Sequence, residues 1–471
     1  MGGGLIQLVI TGQLDSFVSG NPDISFYKYA YKKHTNFSME SINLTFDTNP
    51  VLSNSLIISG YYCKISRYGD LLNNLYFCFK LPEIYSNDVY RFRWVNNIGC
   101  LIVKNATFTV GGTIIDSVTG EWMTIWNELT LPVKDSINNL TGNVDDLTNP
   151  KIDAPVIGIR NNKFYDIFYP SSVKGSGIPS IKSRDIVIPL NFWFCRNPSL
   201  ALPLLQLQLA DIYLNIELES SERLYQVYSK DLDCYVSPSY YNELYSDNIN
   251  IFNFIESNTL FPHVEANYVY LDNQERNSLL ANPINQFLVE QIEILNDTPV
   301  SSTANSSITV DLNIHKLTRE IIWTLKRDDY YRYNENINYT AAIPESSSSE
   351  ILDKATIIWN RSNNRMEEKT SKYFNLIQPY QHHSVIPKTG IYSYSFAIYP
   401  EKFYPSGSYN ASTVNTSLLL YVNGHYNNDV INQKLTKINK TPYNFDYVVK
   451  VYTRSYNIFE INSGTGVMKY T

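Results

Sequence analysis

Apolar and polar residues alternate with a period of two along much of this chain. Ile42, Leu44 and Phe46 are separated by Asn43 and Thr45, and Ala106, Phe108 and Val110 repeat the pattern. The same holds for Ile186, Ile188, Leu190, Phe192 and Phe194, then for Ile308, Val310, Leu312 and Ile314. Tyr392, Tyr394, Phe396 and Ile398 follow, and finally Tyr447, Val449 and Val451. Period two sends successive side chains to opposite faces of a strand, one toward a core and one toward solvent. Gly111-Gly112, Asn149-Pro150, Asn282-Pro283, Pro405-Ser406-Gly407 and Asn423-Gly424 supply turn chemistry between the runs. Many short alternating strands predict an antiparallel sandwich or barrel rather than a parallel α/β sheet.

Within Leu200–Leu218 the apolar set runs Leu205, Leu207, Leu209 and then changes parity to Ile212, Leu214, Ile216, Leu218. A strand keeps its parity unless a residue is inserted, so a bulge or bend is expected near Ala210-Asp211, carrying the chain from one sheet to another. Pro203 has no amide donor and belongs ahead of the paired region or on an edge. Helical signal is scarce. Trp122, Ile125, Trp126 and Leu129 form one stripe that Pro132 stops. A second helix is expected from Asp272, with Glu275 as capping-box partner, to Pro283, and its mid-chain position makes it a link between domains. A short surface helix within one domain is the alternative. Leu131–Arg184 and Ser220–Pro262 read as long functional loops, with shorter polar runs at Ser301–Ser307 and Ser346–Ser349. A faint echo, Glu40-Ser41-Ile42-Asn43-Leu44 against Glu290-Gln291-Ile292-Glu293-Ile294, hints at duplication.

The 471 residues exceed what one hydrophobic core organises, so two large domains are expected. Lys+Arg 38 against Asp+Glu 45 leaves −7, which excludes a globally basic nucleic-acid binder. Charged residues are 18% and Tyr alone numbers 38, a composition suited to β-structure with polar contact surfaces. No run approaches the ~18 apolar residues of a membrane span. The start, Met1-Gly2-Gly3-Gly4-Leu5-Ile6, lacks the basic stretch and cleavage site of a secretory leader. It also places Ile6 where a myristoylation signal wants Ser or Thr. Cys63, Cys78, Cys100, Cys195 and Cys234 are odd in number and scattered, the usage of buried thiols in a reducing compartment.

Reactive chemistry is not legible in the sequence. None of His34, His263, His315, His382, His383 and His425 stands in a metal-binding motif. Adjacent His382 and His383 on a strand would point apart, so a polar loop pair is expected in place of a ligand pair. There is no nucleophile elbow and no phosphate-cradling loop, since Gly464-Thr465-Gly466 lacks a third glycine. Asp145-Asp146 and Asp328-Asp329 read as solvated turns. The run Phe26-Tyr27-Lys28-Tyr29-Ala30-Tyr31-Lys32-Lys33-His34 could stack bases and neutralise phosphate, or pack as a Tyr-rich entry segment under a sheet. Sequons at Asn105, Asn305, Asn338 and Asn410 are expected to be unused without a leader. No catalytic, cofactor-binding or metal-binding residue is assigned, and the chain is expected not to be an enzyme.

Several stretches together resemble the double jelly-roll major capsid proteins of nucleocytoplasmic large DNA viruses. They begin with Gly2–Val9 and Gly20-Asn21-Pro22-Asp23-Ile24-Ser25-Phe26-Tyr27-Lys28, running on through Tyr31–Ile42. Ser66–Leu71, Asn197–Leu204 and Tyr268–Arg276 follow in the same order, then Tyr373–Tyr380, Gly390–Ala397 and Tyr456–Gly464. The resemblance implies an all-β chain of two consecutive antiparallel jelly-roll sandwiches with few short helices. It implies an N-terminal segment 1–25, a first jelly roll 26–272 with long loops near 131–184 and 220–262, a linker helix 273–286, and a second jelly roll 287–471. It further implies a homotrimer forming a pseudo-hexagonal capsomer of an icosahedral shell, some first-domain loops forming outer towers. Partners would be neighbouring capsomers and minor capsid proteins beneath the shell, without direct nucleic-acid contact and with an internal membrane only indirectly involved. The location implied is the virion, after assembly in host cytoplasm. The other reading open to an aromatic, Asn-rich β-protein is a carbohydrate-binding or carbohydrate-active sandwich; a third is nucleic-acid binding through Lys28–His34.

Overall fold

The structure, a computed structural model, describes residues 3–10, 12–22, 33–54, 60–87, 89–150, 158–160, 163–165, 172–282, 284–295, 297–302, 306–360, 364–412, 414–424 and 445–470. Most of the entry run Phe26–His34, together with His425 and Asn305, lies outside the described residues.

Two sandwiches follow one another along the chain. In order, the strands of the first are Phe37–Leu44, Gly60–Lys64, Leu71–Leu81, Val103–Val110, Thr113–Val118, Arg184–Pro189, Ile212–Leu218 and His263–Leu271. The first, eighth, third and sixth pair into one sheet; the second, seventh, fourth and fifth pair into the other. The second sandwich repeats this order. Ile284–Ile294, Tyr447–Asn462, Leu317–Arg327 and Ile391–Ser395 make one sheet. Ser307–Leu312, Thr416–Val422, Leu352–Trp359 and the short pair Asn364–Arg365 and Lys369–Thr370 make the other. All these pairings are antiparallel, and this arrangement is the jelly roll. The echoed segments fall on equivalent strands, the first of each sandwich.

The period-two sets mark the inward faces. Phe77, Phe108, Leu214, Ile216, Val264 and Ala266 fill the first core, and Val310, Leu312, Ala355, Ile357, Leu418 and Leu420 the second. Each Val, Leu, Ile or Phe among them contributes roughly 1.5–3 kcal/mol by leaving water. Two strands depart from alternation because both of their faces are covered. In Leu317–Arg327, Ile321, Trp323 and Leu325 enter the second core while Ile322 joins the first. In Tyr447–Asn462, Val449 and Val451 face the second core, whereas Tyr452 and Phe459 pack with the first.

The predicted helical stripe is the helix Gly120–Thr130, with Trp122, Ile125, Trp126 and Leu129 buried and Thr119 capping it by accepting from the Trp122 amide. Asp272 likewise caps Asn273–Ala281 by accepting from the Glu275 amide at 2.9 Å. Asp70, buried at the start of the third strand, holds Arg276 of that helix at 2.8 Å. Residues 284–286, read as the end of the linker, are already strand.

Three expectations change. The parity switch after Pro203 is not one bulged strand: Leu202–Pro203 pairs with the third strand, tight turns occupy the next residues, and Ile212 opens the opposite sheet. The alternation through Phe192 and Phe194 ends in a helical turn, Trp193–Arg196, because the Asp116 carboxylate accepts from the Trp193 amide and bends the chain there. The two long loops contain structure of their own. Leu131–Arg184 includes Lys134–Thr141 and Asp145–Thr148; Ser220–Pro262 includes the helix Pro238–Tyr245 and the strands Tyr225–Ser229 and Cys234–Val236, the former pairing with both the latter and Phe92–Trp94. These pieces are too short for periodicity to register, yet Leu147, Val227, Leu232 and Val236 are fully buried.

Connections leaving odd-numbered strands of the first sandwich gather at one end. Bridges Val51–Thr259 and Ile84–Ile181 and the bond from the Tyr85 amide to Phe254 O tie them together. Gly120 begins its helix in close contact: a Cβ there would meet Cys100 O at 2.0 Å and Val103 O at 2.5 Å. Gly120→Ala is therefore expected to cost about 2 kcal/mol or more in urea unfolding, since backbone atoms cannot rotate away.

Candidate functional site: the joint between the two sandwiches

Helix Gly120–Thr130 leaves the first sandwich and lies on the outer face of the second. Lys450, Tyr452 and Arg454, two residues apart on the long last strand, share one face. Each meets a different residue of the helix. Glu121 receives Lys450 at 3.2 Å and Lys326, from the neighbouring strand, at 2.6 Å. Trp122 lies 5.3 Å from the Tyr452 ring, and the Arg454 guanidinium sits 4.0 Å above Trp126. Burial pushes the Glu121 carboxyl upward, but the two lysines outweigh it and hold it below the usual range.

Around Arg454 the charges form a chain across the joint. Glu290, on the first strand of the second sandwich, binds Arg319, Arg454 and, at 3.0 Å, Arg196 from the first sandwich. Arg454 also binds Glu320, and Arg319 reaches the carbonyls of Tyr399 and Lys402. His383 closes the chain, with Nε2 3.0 Å from Glu320 and Nδ1 3.2 Å from Glu401. Burial lowers the His383 pKa, yet the two carboxylates prevail and raise it to about 9. Burial likewise drives Asp116 up to about 6 and Arg196 down to about 10. The last hairpin adds a further tie: the Leu209 amide donates to Gly464 O at 3.1 Å, at a turn where Gly464 has φ +84°.

A cavity of about 340 Å³ opens beside this chain, walled by Trp126, Trp193, Arg196, Glu290, Glu401 and Arg454. Its charged groups are committed to one another, and the arrangement provides rigidity instead of a reactive centre. Among the described residues, no grouping of His, Cys, Asp and Glu is placed to hold a metal ion. No helix among them is long and apolar enough to cross a membrane.

His382 ends a helix and His383 sits in the bend just after it, so neither is on a strand; His382 is half-buried, with Nδ1 3.0 Å from Ile398 O, while His383 is buried in its ion pairs. Asp329 is not a solvated turn residue either, since it is buried and grips Arg327 at 2.7 and 2.8 Å. The Asn338 amide is buried and donates to Ala342 O, whereas Asn410 is exposed. Sequence reading missed Glu121, Arg196, Glu290, Arg319, Glu320 and Arg454. The one signal, for those on strands, is charge within otherwise apolar sequence, such as Arg319-Glu320 ahead of Ile321-Ile322-Trp323.

Comparison with known proteins agrees with this architecture. Residues 25–272 match the family model described as "Major capsid protein N-terminus", and residues 275–467 match "Large eukaryotic DNA virus major capsid protein". The chain belongs to this family of major capsid proteins of large eukaryotic DNA viruses. It is 29% identical to the major capsid protein of Pyramimonas orientalis virus and 27% identical to that of Phaeocystis pouchetii virus, covering 100% of both chains in each case. Among solved structures, the PBCV-1 virus capsid superposes with a TM-score of 0.68 at 21% identity, over 95% of this chain and 100% of that one. The Faustovirus major capsid protein gives 0.65 at 11%, over 95% and 94%. These likenesses carry the double jelly-roll fold, and the family is one of structural proteins, not enzymes.

Two outcomes are expected at the joint. Glu121→Ala leaves two lysines without their shared carboxylate and should lower stability by roughly 3 kcal/mol in denaturant titration. His383, whose folded pKa of about 9 exceeds its ordinary 6.5, stabilises fully below pH 6.5 and loses that contribution as pH rises through 9. Wild type should therefore lose up to roughly 3 kcal/mol across that window. His383→Gln should be less stable at pH 6 and show a flatter melting-temperature profile.

Proposed function

We propose that this chain is the paving unit of an icosahedral virion shell, assembled as a homotrimer whose six jelly rolls form a pseudo-hexagonal capsomer. The observation that carries this reading is the repeated strand order, 1-8-3-6 against 2-7-4-5, in two sandwiches joined by buried charge pairs. Two equivalent rolls held rigidly side by side let threefold symmetry imitate sixfold packing. Neighbouring capsomers, and minor capsid proteins beneath the shell, are its partners on this reading, and assembly takes place in host cytoplasm. The end bearing the elaborated connections faces outward.

We also read the chain as a segment 1–25, a domain 26–272, a link through Asn273–Ala281, and a second domain that runs to the C-terminus. Support comes from the absence of buried residues in that helix and from its one charged anchor among the described residues, at Asp70.

Native mass spectrometry of the purified protein should give three times the chain mass, and negative-stain images should show triangular particles with hexagonal bases. A monomer at high concentration sinks the proposal.

A further inference from the structure

A second cavity, of about 280 Å³, lies where the elaborated end of the first sandwich meets the second. Three segments build it: the turn Ser221–Arg223 with Ser220, the first turns of helix Pro238–Tyr245, and Tyr331–Asn334 from the second sandwich. Hydrogen bonds fix these segments to one another. The Ser237 amide donates to Arg332 O at 2.8 Å, and Asn334 Nδ2 donates to Glu222 O at 2.7 Å and Tyr225 O at 2.8 Å. The shape is set by the two sandwiches and does not await a ligand.

We propose that this cavity binds a single neutral sugar ring. Among the described residues that line it none is aliphatic, which disfavours acyl chains and apolar peptides. Its formal charges cancel: Glu222 and Glu243 stand against Arg223 and Arg332, so neither a phosphate nor a polyamine finds a complementary field. What the walls offer instead is one accessible aromatic ring, that of Tyr331, and planar polar groups. Tyr240 is 5% exposed and forms a wall with the Arg332 guanidinium 5.2 Å above its ring, while Tyr331 is 51% exposed and presents its ring at the mouth. A pyranose has one face of C–H groups that stacks on such a ring and vicinal hydroxyls that carboxylates and guanidinium groups bind in pairs. Glu222 already accepts from the Ser239 hydroxyl at 3.0 Å through one oxygen, and among the described residues none hydrogen-bonds its other oxygen, which is open to a ligand hydroxyl. The volume falls just below the ~300–1,000 Å³ typical of ligand sites, which limits the occupant to one residue, terminal on a glycan or free.

A role in contacting a glycan-coated surface rests on the outward orientation proposed above, but the binding itself does not. Saturation-transfer NMR of the purified full chain with glucose, galactose, mannose, fucose and xylose, each separately, is expected to show transfer to at least one. Tyr331→Ala is expected to weaken that sugar by about tenfold, and Tyr331→Trp to preserve it. A glycan array with the labelled protein then separates a terminal residue, which gives array signal, from a free sugar, which does not. Absence of transfer to all five sugars, equal transfer in Tyr331→Ala, or binding of sialic acid or inorganic phosphate alone would each overturn the proposal. Because the experiment reads binding whether or not trimers form, its failure leaves the capsomer reading standing.

Discussion

Lys450, Tyr452 and Arg454 recur at every second position on a strand whose other face already lines the second core. The pleat therefore delivers one cation, one ring and another cation onto a single helix of the first sandwich. Burying those cations is costly unless each finds a carboxylate, and Glu121, Glu290 and Glu320 stand at the required places. Replaced by apolar residues, such a joint could be equally stable. Charge pairs add orientation, because a guanidinium that serves two carboxylates and a tryptophan face tolerates little displacement.

The consequence for the fold is that the two sandwiches behave as one body. Ile322, Tyr452 and Phe459 lie in strands of the second sandwich but pack with the core of the first. A unit that must be repeated side by side needs this more than it needs a flexible hinge. The free surface then carries the elaborated connections, with helices and a small sheet of their own.

Legibility in the sequence followed length and one-sidedness. Strands covered on one face, such as Val103–Val110 and Ser307–Leu312, announced themselves by alternation, and the helix with Trp122 and Trp126 by its stripe. The capping role of Asp272 was readable because it depends on local spacing. Leu317–Arg327 was not readable, since burial on both faces erases the period and leaves Arg319 and Glu320 looking misplaced. The charge pairs join residues as distant as Glu121 and Lys450, or Glu290 and Arg454, and no local pattern encodes such partners. The elaborated connections failed for a third reason: strands of three to five residues and a helix of about two turns hold too few repeats for a period to show.

In both sandwiches the opening strand pairs with the closing one: Phe37–Leu44 with His263–Leu271, and Ile284–Ile294 with Tyr447–Asn462. During synthesis neither sheet can be completed until its last strand has left the ribosome, and loop closure over such separations is slow. The helix bearing Glu121 and Trp126 must wait longer than its own sandwich, because its counterpart surface, Lys450 to Arg454, lies on a late strand of the second. For that interval aromatic and charged side chains meant for the joint stand in water, a window in which the nascent chain depends on protection from aggregation.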